Sequence, residues 1–191
     1  MANYGMRAAL HRQAVAMAPR VFGPLPAPCS LARTPPTAPE VWPQERLNSD
    51  PERPGPCLVG VWAIPTFLVP TNWRVITQLS NGYEVHDLDL LSAVAATSPA
   101  GPRVRLYFPN ESTPQTATAA DTRLGRIYLG FSRFPAARTS VDADGVATTR
   151  WSDMRFVGGP LRLDQQPQRD PFSATVRIDR SGRVIEERLG P

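Results

Sequence analysis

Trp73-Arg74-Val75-Ile76-Thr77-Gln78-Leu79-Ser80-Asn81-Gly82-Tyr83-Glu84-Val85-His86-Asp87-Leu88-Asp89-Leu90 is the stretch that decides the fold. Residues 73–79 are rich in β-branched and aromatic side chains, and Asn81-Gly82 is a strong two-residue turn signal. Residues 83–90 then read as the partner strand. Two similar units follow. Residues 136–141 and 146–156 flank Asp144-Gly145, and residues 172–179 and 183–188 flank Ser181-Gly182. Between the hairpins, Val104, Leu106 and Phe108 alternate with Arg103, Arg105 and Tyr107 and stop at Pro109. The three hairpins differ in length and pattern, so no internal repeat is present.

One helix interrupts the strands. Leu124, Ile127, Tyr128 and Phe131 fall at i, i+3, i+4 and i+7, which places them on one apolar helical face. Thr118 or Asp121 would cap this helix, and Pro135 follows its end. The expected architecture is α+β: a mainly antiparallel β-sheet with one amphipathic helix packed on a face.

What precedes the sheet has a different character. Of 22 prolines in 191 residues, half lie before residue 57. Residues 1–23 read as a short basic amphipathic helix, 24–56 as a proline-rich extended segment, and 57–191 as the β-rich α+β domain. In the helix, Met6, Leu10, Ala14 and Met17 recur at spacings of four, four and three, and Pro19 ends it. Its arginines lack acidic neighbours, which suits either a membrane surface or packing on its own domain. The apolar window at 57–70, CLVGVWAIPTFLVP, falls short of the roughly 20 residues a spanning helix needs, and Pro65 breaks it. The chain alone is therefore expected to be soluble.

All 21 basic residues are arginine, and 17 acids are interspersed with them, for a net charge of +4. That scatter argues against a nucleic-acid partner, which usually requires a basic stripe. Cys29 and Cys57 allow at most one disulfide and do not fix the compartment. No CxxC or paired histidine accompanies them, so no structural zinc site is encoded. Asn110-Glu111-Ser112 fits a glycosylation acceptor.

Few polar clusters are chemically suggestive. Asp87 and Asp89 alternate along a strand and share a face, as the ligands of a hard cation or an acid/base pair would. His86 points the other way and joins them only through a bulge. Asp142-Ala143-Asp144-Gly145 opens like a calcium loop but lacks the distal Glu, and a hairpin turn explains it. Ser132 has no histidine near it in sequence to activate it. Arg133 is expected to cap the helix carbonyls, Phe134 to anchor the turn, and Asp153 to pair with Arg155 beside a buried aromatic. Gly158-Gly159-Pro160 lacks the Lys and Ser/Thr of a phosphate loop.

The order of these pieces carries a resemblance. Pro70 to Ile76, Tyr83-Glu84-Val85 with Asp87-Leu88-Asp89-Leu90-Leu91, Phe131-Ser132-Arg133-Phe134-Pro135, Asp153-Met154-Arg155-Phe156 and Pro171-Phe172 follow one another. This series resembles the C-terminal extramembrane region of bacterial inner-membrane proteins described as metal-dependent hydrolases. The resemblance implies a parent protein whose metal-binding His and Asp residues lie in a membrane-embedded N-terminal half that this chain lacks. It transfers no catalytic residue, and it implies a divalent metal only through the parent activity. It also implies association with the inner membrane. Arg7, Arg12 and Arg20 then favour the cytoplasmic side.

The expectation that follows is a non-catalytic accessory or regulatory domain whose partner is the membrane-embedded half or the membrane surface. Two alternatives stand beside it. One is a small metal-dependent hydrolase using Asp87 and Asp89, and the other is a protein-binding module that uses the proline-rich segment.

Overall fold

The computed structural model describes residues 2–29, 56–66, 69–91, 106–157 and 172–190. The chain is α+β, with two four-stranded antiparallel sheets in two compact units, Met1–Phe108 and Pro109–Pro191. The expected strand at 104–108 and the Gly158-Gly159-Pro160 breaker lie partly or wholly outside the described residues, as does most of the proline-rich segment. No described helix is long and apolar enough to cross a membrane.

In the first unit, helices α1 (Ala2–Ala16) and α2 (Ala18–Phe22) precede the sheet. Pro19 falls in the first turn of α2, where its missing N–H costs nothing, so it separates two helices rather than ending helical structure. Strands β1 (Leu58–Pro65), β2 (Asn72–Leu79), β3 (Gly82–Asp89) and β4 (Leu106–Pro109) lie in sequence order. β1 grows out of the apolar window at 57–70, and its side chains are mostly half-buried, with Ala63 buried.

The register Trp73↔Leu88, Val75↔His86 and Ala63↔Val75 puts these side chains on one face of the sheet. Ala14, Ala18 and Phe22 join Ala63, Trp73, Val75, Leu88 and Leu90 in a single core. The basic helix thus lays its small and apolar residues on its own sheet, with His11 edge-on to Trp73 at 5.9 Å. Met6 lies outside that contact and is half exposed. The β2–β3 hairpin turns on Ser80-Asn81, because Leu79 pairs with Gly82, one residue earlier than the Asn-Gly signal indicates.

A disulfide joins Cys29 to Cys57 across 28 residues of sequence. Around it the chain entering residue 29 pairs in parallel with the start of β1. Cys29 N–H donates to Leu58 O and Leu58 N–H to Ala27 O, both at 2.9 Å. Cys57 also exchanges bonds with Ser80 at the hairpin turn.

In the second unit, helices α3 (Pro114–Ala120) and α4 (Arg123–Phe131) precede strands β5 (Pro135–Val141), β6 (Ala147–Asp153), β7 (Ser173–Ile178) and β8 (Val184–Leu189), again in sequence order. The helix-bearing face is fixed by a hydroxyl chain, Thr116 to Thr139 to Thr149, at 2.8 and 2.9 Å. Trp151 is fully buried on the same face beneath Tyr128.

α4 is the expected amphipathic helix, with two corrections. Its cap is Thr122, whose hydroxyl accepts from Gly125 N–H, rather than Thr118 or Asp121; Asp121 instead closes the additional helix α3. Only Leu124 and Tyr128 of the apolar stripe are buried, whereas Ile127 and Phe131 are more than half exposed. A side chain at Gly125 would strike the Ala119 carbonyl at 2.2 Å, so the tight α3–α4 junction requires glycine there.

Asn110 and Glu111 line the edge of β5. Asn110 donates to Pro135 O and accepts from Ala137 N–H, and Glu111 accepts from Thr139 N–H. Asn110 is buried, so the acceptor triplet does structural work here. Gly145, at φ +74°, closes the β5–β6 hairpin, and Asp142 accepts from Val146 N–H as the turn reading requires.

Candidate interaction site

The side chains proposed for chemistry in the first unit do not converge. Asp87 is held by Arg74 on the neighbouring strand, with both guanidinium–carboxylate contacts at 2.7 Å. Arg74 and Asp87 are register partners, so this is a cross-strand ion pair in fork geometry. Asp89 shares that face and accepts from Leu91 N–H at 3.1 Å, fixing the end of the strand. His86 is buried on the opposite face, its ring edge-on to Phe22 at 6.4 Å. No bulge brings it round to the aspartates. Among the described residues, no group of three His, Cys, Asp or Glu side chains could hold a metal ion.

The second unit behaves differently. There the separate motifs of the sequence meet around one carboxylate. Asp153, the last residue of β6, is 1% exposed. Its Oδ2 accepts from Ser132 Oγ at 2.7 Å, Arg133 N–H at 3.2 Å and Arg155 Nη2 at 2.6 Å. Its Oδ1 accepts from Arg155 N–H at 2.9 Å and Nε at 3.0 Å. Backbone bonds complete the knot: Met154 N–H donates to Phe134 O, and Asp153 N–H to Phe172 O.

Burial alone would oppose ionisation of Asp153. The hydrogen bonds from Arg155 and Ser132 and the Arg155 charge outweigh it, and they hold the carboxyl below its ordinary range. In return the Asp153 hydrogen bond raises the pKa of Arg155. Both oxygens of this carboxylate are occupied by donors from the fold, with the Ser132 hydroxyl donating a hydrogen bond to one of them. The cluster is a structural lock.

The lock also assigns the helix-capping role. Arg155, not Arg133, reaches the last carbonyl of α4, with Nη2 3.5 Å from Phe131 O. Sequence proximity pointed to Arg133, but its backbone N–H is the group in use and its guanidinium lies over Phe134 at 5.8 Å. Phe134 is buried at the turn as expected.

Outside the lock stands a row of aromatics. The Arg155 guanidinium sits 5.5 Å from the Phe131 ring centroid and 5.0 Å from that of Phe156. Phe156 packs on Phe172 with centroids 4.1 Å apart. Tyr128 OH donates to Phe172 O and ties the row to α4. With Ile127 one helical turn before Phe131, the result is a continuous stripe: Ile127, Phe131, Arg155, Phe156, Phe172. Ile127, Phe131 and Phe172 are 55%, 61% and 43% exposed. Sequence reasoning missed this surface because helical periodicity marks an apolar face without saying whether all of it is covered.

A second feature the sequence did not disclose is an open cavity of about 350 Å³ between α3 and the two hairpin turns. Val141, Ala147 and Ile178 give it an apolar floor, and Gln115 and Arg180 line it as well. Arg180 is held there by a bond to Ala143 O. Comparison of the chain with protein-family models, with curated proteins and with solved structures gives no match.

Proposed function

We propose that this chain is a non-catalytic accessory domain of a membrane-bound, metal-dependent hydrolase-like protein, acting by docking rather than by chemistry. One observation carries the reading. Three of the motif segments behind the family resemblance, Phe131 to Pro135, Asp153 to Phe156 and Phe172, are the segments that meet at the Asp153 lock. What they create is an ordered outer surface, with the polar atoms engaged inside it. Asp87 and Asp89 likewise serve the strand that carries them.

The Cys29–Cys57 disulfide supports placing the domain on the oxidising side of the inner membrane. This revises the cytoplasmic placement drawn from Arg7, Arg12 and Arg20. A disulfide, which is rare where thiols are kept reduced, weighs more than three charges that lie on helices docked to their own sheet.

The purified chain is expected to release no p-nitrophenol above buffer from p-nitrophenyl phosphate or p-nitrophenyl acetate with Mg²⁺, Mn²⁺ or Zn²⁺. Metal-dependent turnover that disappears in Asp87→Ala/Asp89→Ala, with the fold intact, would replace this reading with that of a small hydrolase.

A further inference from the structure

We infer that the stripe Ile127–Phe131–Arg155–Phe156–Phe172 is a contact surface for an anionic lipid bilayer. This deepens the accessory reading above and rests on it.

The make-up of the stripe suits a membrane surface. Three exposed apolar side chains on α4 and at the start of β7 are joined through Arg155 and Phe156 into one surface. Aromatic rings and arginine stems suit the bilayer interface, where an apolar body meets hydrocarbon and a polar head meets water and phosphate. Gly130, between these residues on α4, is exposed with open space around it, so nothing holds a flat surface away from the helix there.

Its charge does too. Arg123, Arg126 and Arg133 are exposed on and just after α4, and α4 itself contains no acid. Among the described residues, two carboxylates lie close to the helix, and Glu187 offsets the charge of Arg123 while Arg126 and Arg133 keep theirs. Asp153 is buried against Arg155, and Glu187 accepts from Leu124 N–H at the other end of the helix. Asp121 precedes the first residue of α4 and is remote from Phe131 in sequence. The stripe therefore presents apolar surface rimmed by positive charge, complementary to a surface of phosphates. The attraction of arginines to such a surface is screened by salt and fades beyond a Debye length.

The opposite face of the same sheet supplies an internal control. Arg138 pairs with Arg150, Arg150 with Thr175, and Thr175 with Arg188, so these residues form a row facing away from the helices. That face carries arginines but no exposed aromatic among its described residues. If charge alone governed attachment, it would compete with the stripe.

The test is co-sedimentation of the full chain with vesicles of phosphatidylcholine alone and of phosphatidylcholine mixed with phosphatidylglycerol. Binding is expected to the mixed vesicles only, and to fall steeply with added salt. Arg126→Glu/Arg133→Glu, which changes the charge of the rim by four units, is expected to lower binding at least about tenfold. Ile127→Ser/Phe131→Ser, at exposed positions, is expected to abolish it while leaving the circular dichroism spectrum unchanged. Arg138→Glu/Arg188→Glu is expected to bind within about twofold of the wild type, because those residues face away from the stripe.

The inference is overturned by equal binding to both vesicle types, by wild-type binding in the stripe variants, or by loss of binding in the opposite-face variant. Absence of binding to any vesicle overturns it too and leaves a protein surface as the partner of the stripe. That outcome, with no hydrolysis in the assay above, would not touch the accessory reading; hydrolysis would sink that reading whatever the vesicles show.

Discussion

Asp153→Ala is expected to destabilise the Pro109–Pro191 unit by about 2–4 kcal/mol, because it strips a buried hydroxyl and two backbone N–H groups of their acceptor. The expectation follows from what the carboxylate satisfies. Five donors converge on it: Ser132 Oγ, Arg133 N–H, and Arg155 N–H, Nε and Nη2. Without it, two backbone N–H groups and a buried hydroxyl lose their acceptor in a place with little water, while the Arg155 guanidinium is exposed enough to turn to solvent.

The failure should be local first. Hydrogen exchange is expected to accelerate at Arg133 and Arg155, and then along β6 and β7, whose ends the lock holds together. The aromatic stripe should loosen with it, since Arg155 is the residue that spaces Phe131 from Phe156. Asp153→Asn retains the shape and some of the acceptor capacity, so it should cost less than alanine. Chemical denaturation of the three proteins, read by hydrogen exchange in this unit, checks the order.

The second large effect belongs to the other unit. Replacing both cysteines with serine is expected to cost about 3.5 kcal/mol, because the crosslink closes a loop of 28 residues of sequence separation whose freedom returns to the unfolded chain. For a unit of this size the unfolding midpoint would fall by roughly 10–20 °C. The loss should concentrate in Met1–Phe108, which contains both cysteines. The parallel pairing of residues 27–29 with Leu58 should fray before the β2–β3 hairpin does. Calorimetry with and without dithiothreitol gives the same comparison without mutation. No change on reduction would mean the crosslink adds nothing to the fold, and the compartment argument would lose its support.

Much of the fold was legible from local signals. Gly145 and Gly182 at positive φ are the turn residues that Asp-Gly and Ser-Gly announced, and the strands beside them run close to the expected limits. Those features depend on a few neighbouring residues, and so they can be read locally.

The division of the strands into two sheets was not legible. Every hairpin pairs neighbours in sequence, and nothing in a hairpin's own sequence states which sheet it joins. α3 was equally hidden. Its Pro-Gln-Thr-Ala-Thr-Ala-Ala sequence has no apolar stripe, and its place depends on the Thr116–Thr139–Thr149 contacts. The lock shows the same limit at the site. Asp153 and Arg155 were readable as a pair because they are neighbours, whereas Ser132 lies 21 residues away and meets them only in three dimensions. The exposure of Ile127 and Phe131 is likewise a property of the assembled unit.

Titration of the Asp153 carboxyl shows most directly that it is held inside the fold as an ion. A group whose pKa is lower in the folded than in the unfolded chain stabilises the fold above its unfolded pKa. That stabilisation is lost as pH falls from about 4 through the folded value. Carbon-13 NMR of the Asp153 side-chain carboxyl across pH is expected to give a midpoint below the ordinary value of 3.8, with stability declining over the same acid range. A midpoint raised to about 6, where a working general acid or base would be poised, would contradict it.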